Sequence, residues 1–269
     1  MTRERDPGDW GTENLSPYTG CPTHAIPRAQ RSPGCRACWL EGMLRGILGA
    51  TIHGRRPDGT LIPSYEVVLH PDRLAQILRM RKSQRLWWIN GEPSAVARLH
   101  PEYLAACAGG ALARPDHGIG LLTSDPGGLV GWARWMETTG RPAGYAAECC
   151  YRETDHGVIP PVPWPPPNLL ILISASDLDE VKERTPAALE LEALGWRWGW
   201  HHEPLLAPVA EALAEVAACS PVRVPEVRRR AGRGRRDEPG ALPLWRQPGP
   251  KRRHRRWPIM DRRRSPEGP

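Results

Sequence analysis

Cys35 and Cys38 stand as C-x2-C, and Cys21 lies upstream with 13 residues between it and Cys35. Thiolates are soft ligands, and a C-x2-C loop lets two sulfurs reach one metal atom or cluster. The three cysteines sit in a Gly/Pro-rich stretch rather than along an apolar face, which points to metal ligation over packing. Two metal chemistries fit these residues. Three grouped thiolates can hold three irons of a [4Fe–4S] cluster and leave the fourth iron open. With His24 added, the set reads C-x2-H…C-x2-C, four zinc ligands by type and spacing. Cys107, Cys149, Cys150 and Cys219 have no such spacing and read as ordinary packing residues.

Two further clusters carry polar chemistry. Asn90-Gly91-Glu92-Pro93 follows the apolar run Leu86–Ile89 directly. A carboxylate beside exposed backbone carbonyls suits an ammonium group, and Gly permits close approach. The same residues also make an ordinary strand-to-helix turn. His201-His202-Glu203 follows Trp196–Trp200, at a strand end of the kind where ligand groups gather in βα folds. Solvated loop histidines are the plainer reading there. The tryptophans, Trp87, Trp88, Trp196 and Trp198 among them, read as core rather than as a base-stacking platform.

The elements that must position these groups alternate along the chain. Leu86–Ile89, Ile119–Leu122, Leu169–Ile173 and Trp196–Trp200 are short apolar runs, and Tyr65–Leu69 suits an edge strand. Helical patterns fall at Trp39–Leu48, Pro71–Arg79, Pro101–Ala113, Leu129–Glu137, Leu178–Leu194 and Leu205–Ala218. Asp177 with Glu180 makes a capping pair for the fifth of these. Pro160–Pro167 is a stiff connector that must end before the Leu169–Ile173 strand. Wholly apolar strands separated by helices predict a parallel sheet covered on both faces.

Charge divides the chain in two. Residues 221–269 carry 16 Lys+Arg against 5 Asp+Glu, whereas residues 1–220 carry 21 against 25. We therefore expect an α/β domain over 1–220 and an Arg/Pro-rich disordered tail over 221–269. Such a tail can grip nucleic acid through phosphates, although only Trp245 and Trp257 lie within it. The absence of a secretory h-region and of an apolar run of roughly 18 residues predicts a cytoplasmic chain without a membrane span. Seven cysteines in such a chain do not suit a disulfide framework.

Several segments in order resemble a phage protein family, the Gp-thirty-seven/Gp-sixty-eight family of unknown function. Ser16-Pro17-Tyr18-Thr19-Gly20-Cys21 and Ser32-Pro33-Gly34-Cys35-Arg36-Ala37-Cys38-Trp39 are similar to its W-N-P-V-T-G-C and S-P-G-C-x-x-C-Y-A opening. Val67-Val68-Leu69-His70-Pro71, Leu121-Leu122-Thr123, Pro167-Asn168-Leu169, Glu183-Arg184 with Pro186, and Glu203-Pro204-Leu205-Leu206 continue the match over about residues 9–209. That family's cysteine motif has been compared with radical S-adenosylmethionine enzymes. The resemblance implies an incomplete parallel βα barrel holding a [4Fe–4S] cluster on Cys21, Cys35 and Cys38. It implies S-adenosylmethionine as cofactor, with Asn90, Gly91 and Glu92 at the position of the G-G-E-P stretch that binds the methionine amino group, and Glu203 at a family position. Three departures stand out. The first cysteine spacing is longer by about seven residues, Asn90-Gly91-Glu92-Pro93-Ser94 replaces S-M-S-D-L-F-H, and the Arg/Pro tail replaces a V-G-G-E-S-G strand. The competing class is a non-enzymatic zinc-binding or nucleic-acid-binding accessory protein using His24 and the tail.

Overall fold

The computed structural model describes residues 13–36, 38–45, 47–81, 85–88, 92–156 and 163–201. All of them belong to one compact unit, Met1–Arg229, while a second unit, Arg230–Pro269, lies outside the described residues. So do the expected boundary at 220, the tail, the Leu205–Ala218 helix and part of the proline connector.

In chain order the elements begin with β1 (Glu13–Asn14), β2 (Tyr18–Thr19), two short 3-10 turns (Pro22–Ala25, Arg28–Gln30), α1 (Pro33–Arg36), α2 (Trp39–Arg45), α3 (Ile47–Ile52), β3 (Val68–Leu69) and α4 (Pro71–Arg79). Next come β4 (Arg85–Trp88), α5 (Pro93–Leu99), α6 (Pro101–Ala113), β5 (Gly118–Thr123), α7 (Pro126–Thr138), α8 (Pro142–Thr154), β6 (Leu169–Ser174), α9 (Leu178–Ala193) and β7 (Arg197–His201). Helices α4 to α8 each open with proline, which lacks the N–H that a first turn leaves unpaired anyway.

Strands β1, β4, β5, β6 and β7 form one parallel sheet in that order. The expected parallel neighbours are therefore present, and the spatial order equals the chain order. A doubly wound sheet reverses direction at a switch point; this one does not. Each crossover adds its strand to the same edge. Since such crossovers are right-handed, consecutive helices collect on one face, and α5 indeed packs on α7 and α7 on α9. Pairing puts Trp88, Leu121, Ile171 and Trp198 in one row across four strands. All four are buried, and the first three meet Leu104, Ala108, Leu129 and Trp132 around a small internal cavity. Burying side chains of this size contributes about 1.5–3 kcal/mol each. Cys107, Cys149 and Cys150 are buried in the helical layer, as expected of packing residues. Gly109 lets α6 and α8 touch: a Cβ there would lie 2.1 Å from the Ala146 carbonyl oxygen.

The structure corrects several boundaries. Within Tyr65–Leu69 only Val68–Leu69 is a strand, and it pairs antiparallel with β2 in a separate two-stranded sheet. The preceding turn, closed by Glu66 N–H to Pro63 O at 2.9 Å, consumes the rest. Every described residue of Trp39–Leu48 is helical, in α2 and α3, and the helix runs on to Ile52. The Leu129–Glu137 helix begins earlier, at Pro126, where Asp125 caps it by accepting the Gly128 N–H. Asp177 caps α9 as expected, but Glu180 does not return the bond; its carboxylate takes the Ser176 N–H and hydroxyl instead. Helix α8 had no counterpart in the sequence reading, and α5 only the strand-to-helix turn allowed for Asn90-Gly91-Glu92-Pro93.

One side chain locks β6 to the helical layer. Asn168 Nδ2 lies 3.0, 3.0 and 2.9 Å from the Ala111, Arg114 and His117 carbonyl oxygens, which share its two protons. We expect Asn168→Ala to leave three carbonyls without this partner and to cost about 2–3 kcal/mol. Urea unfolding measures it, and a loss below about 0.5 kcal/mol would remove Asn168 from this role.

Candidate metal centre

The loop after β1 is held residue by residue. Pro17 O accepts the His70 N–H at 2.7 Å and the buried Tyr103 hydroxyl at 2.8 Å. Thr19 Oγ1 lies 2.8 Å from both His53 Nδ1 and His70 Nε2. His53 Nε2 lies 2.9 Å from Pro63 O, an acceptor, so it carries that ring's proton and Nδ1 accepts from Thr19. His70 then donates to Thr19. This chain fixes the residue two places before Cys21. Gly20 lies between them, at φ +94° with its α-carbon pressed against the Glu66 carbonyl.

Cys21 N–H donates to Ser64 O at 2.9 Å. His24 follows on a 3-10 turn and donates its N–H to Cys21 O, also at 2.9 Å. Its ring is buried. Nδ1 reaches the same Ser64 carbonyl at 3.2 Å, and Nε2 lies 3.6 Å from Cys38 Sγ. Arg31 binds the turn from the other side, donating to Ile26 O at 2.7 Å and His24 O at 3.0 Å. Its guanidinium also meets Glu41 at 2.7 Å. Glu41 is wholly buried and takes Arg28 and Arg45 as well. Arg31 holds its carboxyl down at about 2. Since Glu41 belongs to α2, this cluster fixes the His24 turn against the helix that Cys38 precedes.

The three thiols are partly exposed and unbridged. Burial pushes Cys21 up to about 12, with the Glu92 carboxylate adding to it and Cys35 adding a little more. Burial also raises Cys35, which feels Cys38, Glu180 and Arg184. Cys35 is thus within electrostatic reach of both other cysteines. Among the described residues, no group of three Cys, His, Asp or Glu side chains is yet drawn close enough to hold a metal ion. Cys38 and His24 are in direct contact.

The cysteine loop follows the carboxyl end of β1, and Glu92 and Glu180, which influence Cys21 and Cys35, follow the carboxyl ends of β4 and β6, the edge where α/β proteins bind ligands. Glu92 stands at the N-terminus of α5, with Ser124 donating to it at 3.3 Å. Burial and then Asp125 raise its carboxyl. Burial alone would raise Glu180, but the Ser176 bonds bring it below the ordinary range. Arg184 pairs with Glu180 and donates to the last carbonyl of β6, Ser174 O. His201 ends β7, in register with Ser174. Of the expected site residues, Cys21, His24, Cys35, Cys38 and Glu92 therefore share one end of the sheet. Asn90, Gly91, His202 and Glu203 lie outside the described residues. The sequence reading passed over Arg31, Glu41, His53, His70 and Arg184. Of these, His53 and His70 meet Thr19 from far off in sequence, and His70 and Arg184 fell within motifs noted there.

Trp88 and Trp196 are buried as core residues, and so is Trp198. No helix among the described residues is long and apolar enough to cross a membrane. No family model, curated protein or solved structure matches this chain.

Proposed function

We propose that this chain is an iron–sulfur protein of the radical S-adenosylmethionine type, built on an incomplete parallel βα barrel. One observation carries the reading. In a singly wound parallel sheet, the first strand runs into the cysteine loop and its neighbour leads to Glu92, which lies within electrostatic reach of Cys21. The residues fit the group by chemistry: three thiols for three irons, and a carboxylate beside them for an ammonium. Cys21, Cys35 and Cys38 would hold the cluster, while Glu92, with Asn90 and Gly91 before it, would orient the amino-acid end of S-adenosylmethionine. Glu203 is a further candidate contact. When bound, the cluster and S-adenosylmethionine supply one-electron chemistry, and the chain's own residues position and shield it.

Anaerobic reconstitution with iron and sulfide tests this. The parent should become brown and hold about four irons per chain. Cys38→Ala should lose most of that colour and iron, because one iron lacks its thiolate. A parent that stays colourless and iron-free under these conditions would end the proposal.

A second reading has one contact in its favour, that of Cys38 with His24. It is a zinc-bearing accessory protein that grips nucleic acid through the basic residues 221–269.

A further inference from the structure

We infer that His24 is a fourth metal donor of this site, so that Cys21, His24, Cys35 and Cys38 can close around a single tetrahedral zinc ion. The inference rests on the reading of the three cysteines as a metal site and identifies the residue that governs which metal they take.

Nδ1 of His24 faces a carbonyl oxygen, Ser64 O at 3.2 Å, and a carbonyl only accepts. Nδ1 therefore carries the proton and Nε2 presents a lone pair. Metal-bound histidines are held in this way, one nitrogen donating to a carbonyl while the other ligates. The lone pair faces Cys38 Sγ at 3.6 Å.

That distance has a meaning. Zinc–sulfur and zinc–nitrogen bonds of about 2.3 and 2.0–2.1 Å, opened to a tetrahedral angle, put the two donors about 3.5 Å apart. The Cys38–His24 pair already has the spacing of two ligands on one ion. External ligands of a [4Fe–4S] cluster sit on different irons and must stand farther apart. In the metal-free site the Cys38 S–H donates to Nε2, and zinc takes the place of that proton.

The imidazole is also held where a ligand needs to be. Its backbone is tied at both ends, to Cys21 O and to Arg31 Nη2. Ser64 O joins the Cys21 backbone to the His24 ring, so one carbonyl positions two members of the set. Cys35 is tethered three residues from Cys38 and lies within electrostatic reach of Cys21. Those two side chains must swing inward on binding. Three thiolates and a dication leave one net negative charge, and the buried Arg31 guanidinium lies within reach of both Cys35 and Cys38. The reaction balances simply. Zinc binds three thiols and one neutral imidazole, three thiol protons pass to solvent, and nothing is oxidised or reduced.

The test uses full-length, reduced, metal-free protein without oxygen. Zinc affinity is read by competition with a chromophoric chelator, and donor type by the thiolate-to-metal charge-transfer bands of cobalt(II). The parent should bind one zinc per chain. His24→Ala should bind at least about 100-fold more weakly, and His24→Cys should restore tight binding. Because the cysteine replacement supplies a donor at the same place, its recovery separates ligation from a folding defect. Equal zinc affinity in the parent and His24→Ala would overturn the inference, as would failure of His24→Cys to recover.

Reconstitution keeps the two proposals distinct. A brown parent whose zinc affinity ignores His24 upholds the iron–sulfur reading and sinks this one. A parent that stays colourless but binds zinc through His24 does the reverse. A parent that binds neither metal sinks both.

Discussion

Gly20→Ala should destabilise the domain by at least about 3 kcal/mol and abolish metal loading in the same step. Gly20 has φ +94°, where a side chain is strained. An added Cβ would also sit 1.9 Å from Glu66 O and 2.8 Å from Glu66 C. Backbone on both sides of that contact leaves no flexible side chain to yield. Relief requires the 63–66 turn to move away, and that turn carries Ser64 O, which holds Cys21 N–H and His24 Nδ1. The substitution therefore separates Cys21 and His24 from their common anchor without touching either. Urea unfolding and cobalt(II) titration of the variant measure the two losses. Stability within about 1 kcal/mol of the parent, or normal loading, would show that the turn yields more easily than this packing implies.

Much of the sheet could be read from sequence because its strands are apolar at nearly every position and appear as apolar runs. Leu169–Ile173 and Ile119–Leu122 lie wholly within β6 and β5. Their order across the sheet could not be read, because hydrophobic runs record burial and not adjacency. Helix α5 was hidden because Asn90-Gly91-Glu92-Pro93 has turn chemistry, and Pro93 serves equally to start a helix. The Asp177–Glu180 spacing was visible. The competition it lost, to a buried serine one residue before the cap, depends on where β6 delivers Ser176. The cysteines and His24 were singled out by spacing alone, and the structure brings Cys38 and His24 into contact. What holds them was not legible. Thr19 meets His53 and His70 across 34 and 51 residues, and Ser64 reaches His24 across 40. Contacts of that range follow from the fold and leave no periodic trace.

Acid should expose the same dependence of the cysteine loop on a distant group. Glu41 is wholly buried against Arg31 and also meets the more exposed Arg28 and Arg45. Arg31 is the main reason its carboxyl falls to about 2, well below an ordinary glutamate. A depressed carboxyl stabilises the fold above its unfolded value of about 4.3 and ceases to do so as pH falls through the folded value. The contribution is thus complete near pH 5 and fades towards about pH 2, amounting to roughly 2–3 kcal/mol. Glu41→Gln should lose that portion of the pH dependence, giving a flatter stability profile across the window. Arg31→Met should be the more damaging change at neutral pH, at about 3 kcal/mol or more, since it leaves a buried carboxylate with its principal partner gone. It also frees Ile26 O and His24 O, so His24 loses a tether and zinc binding should weaken beyond what global unfolding explains. Urea midpoints from pH 2 to 7 for the parent and both variants, with zinc titration of the folded fraction, check these expectations. Identical pH slopes for the parent and Glu41→Gln would mean that the buried pair does not govern acid stability.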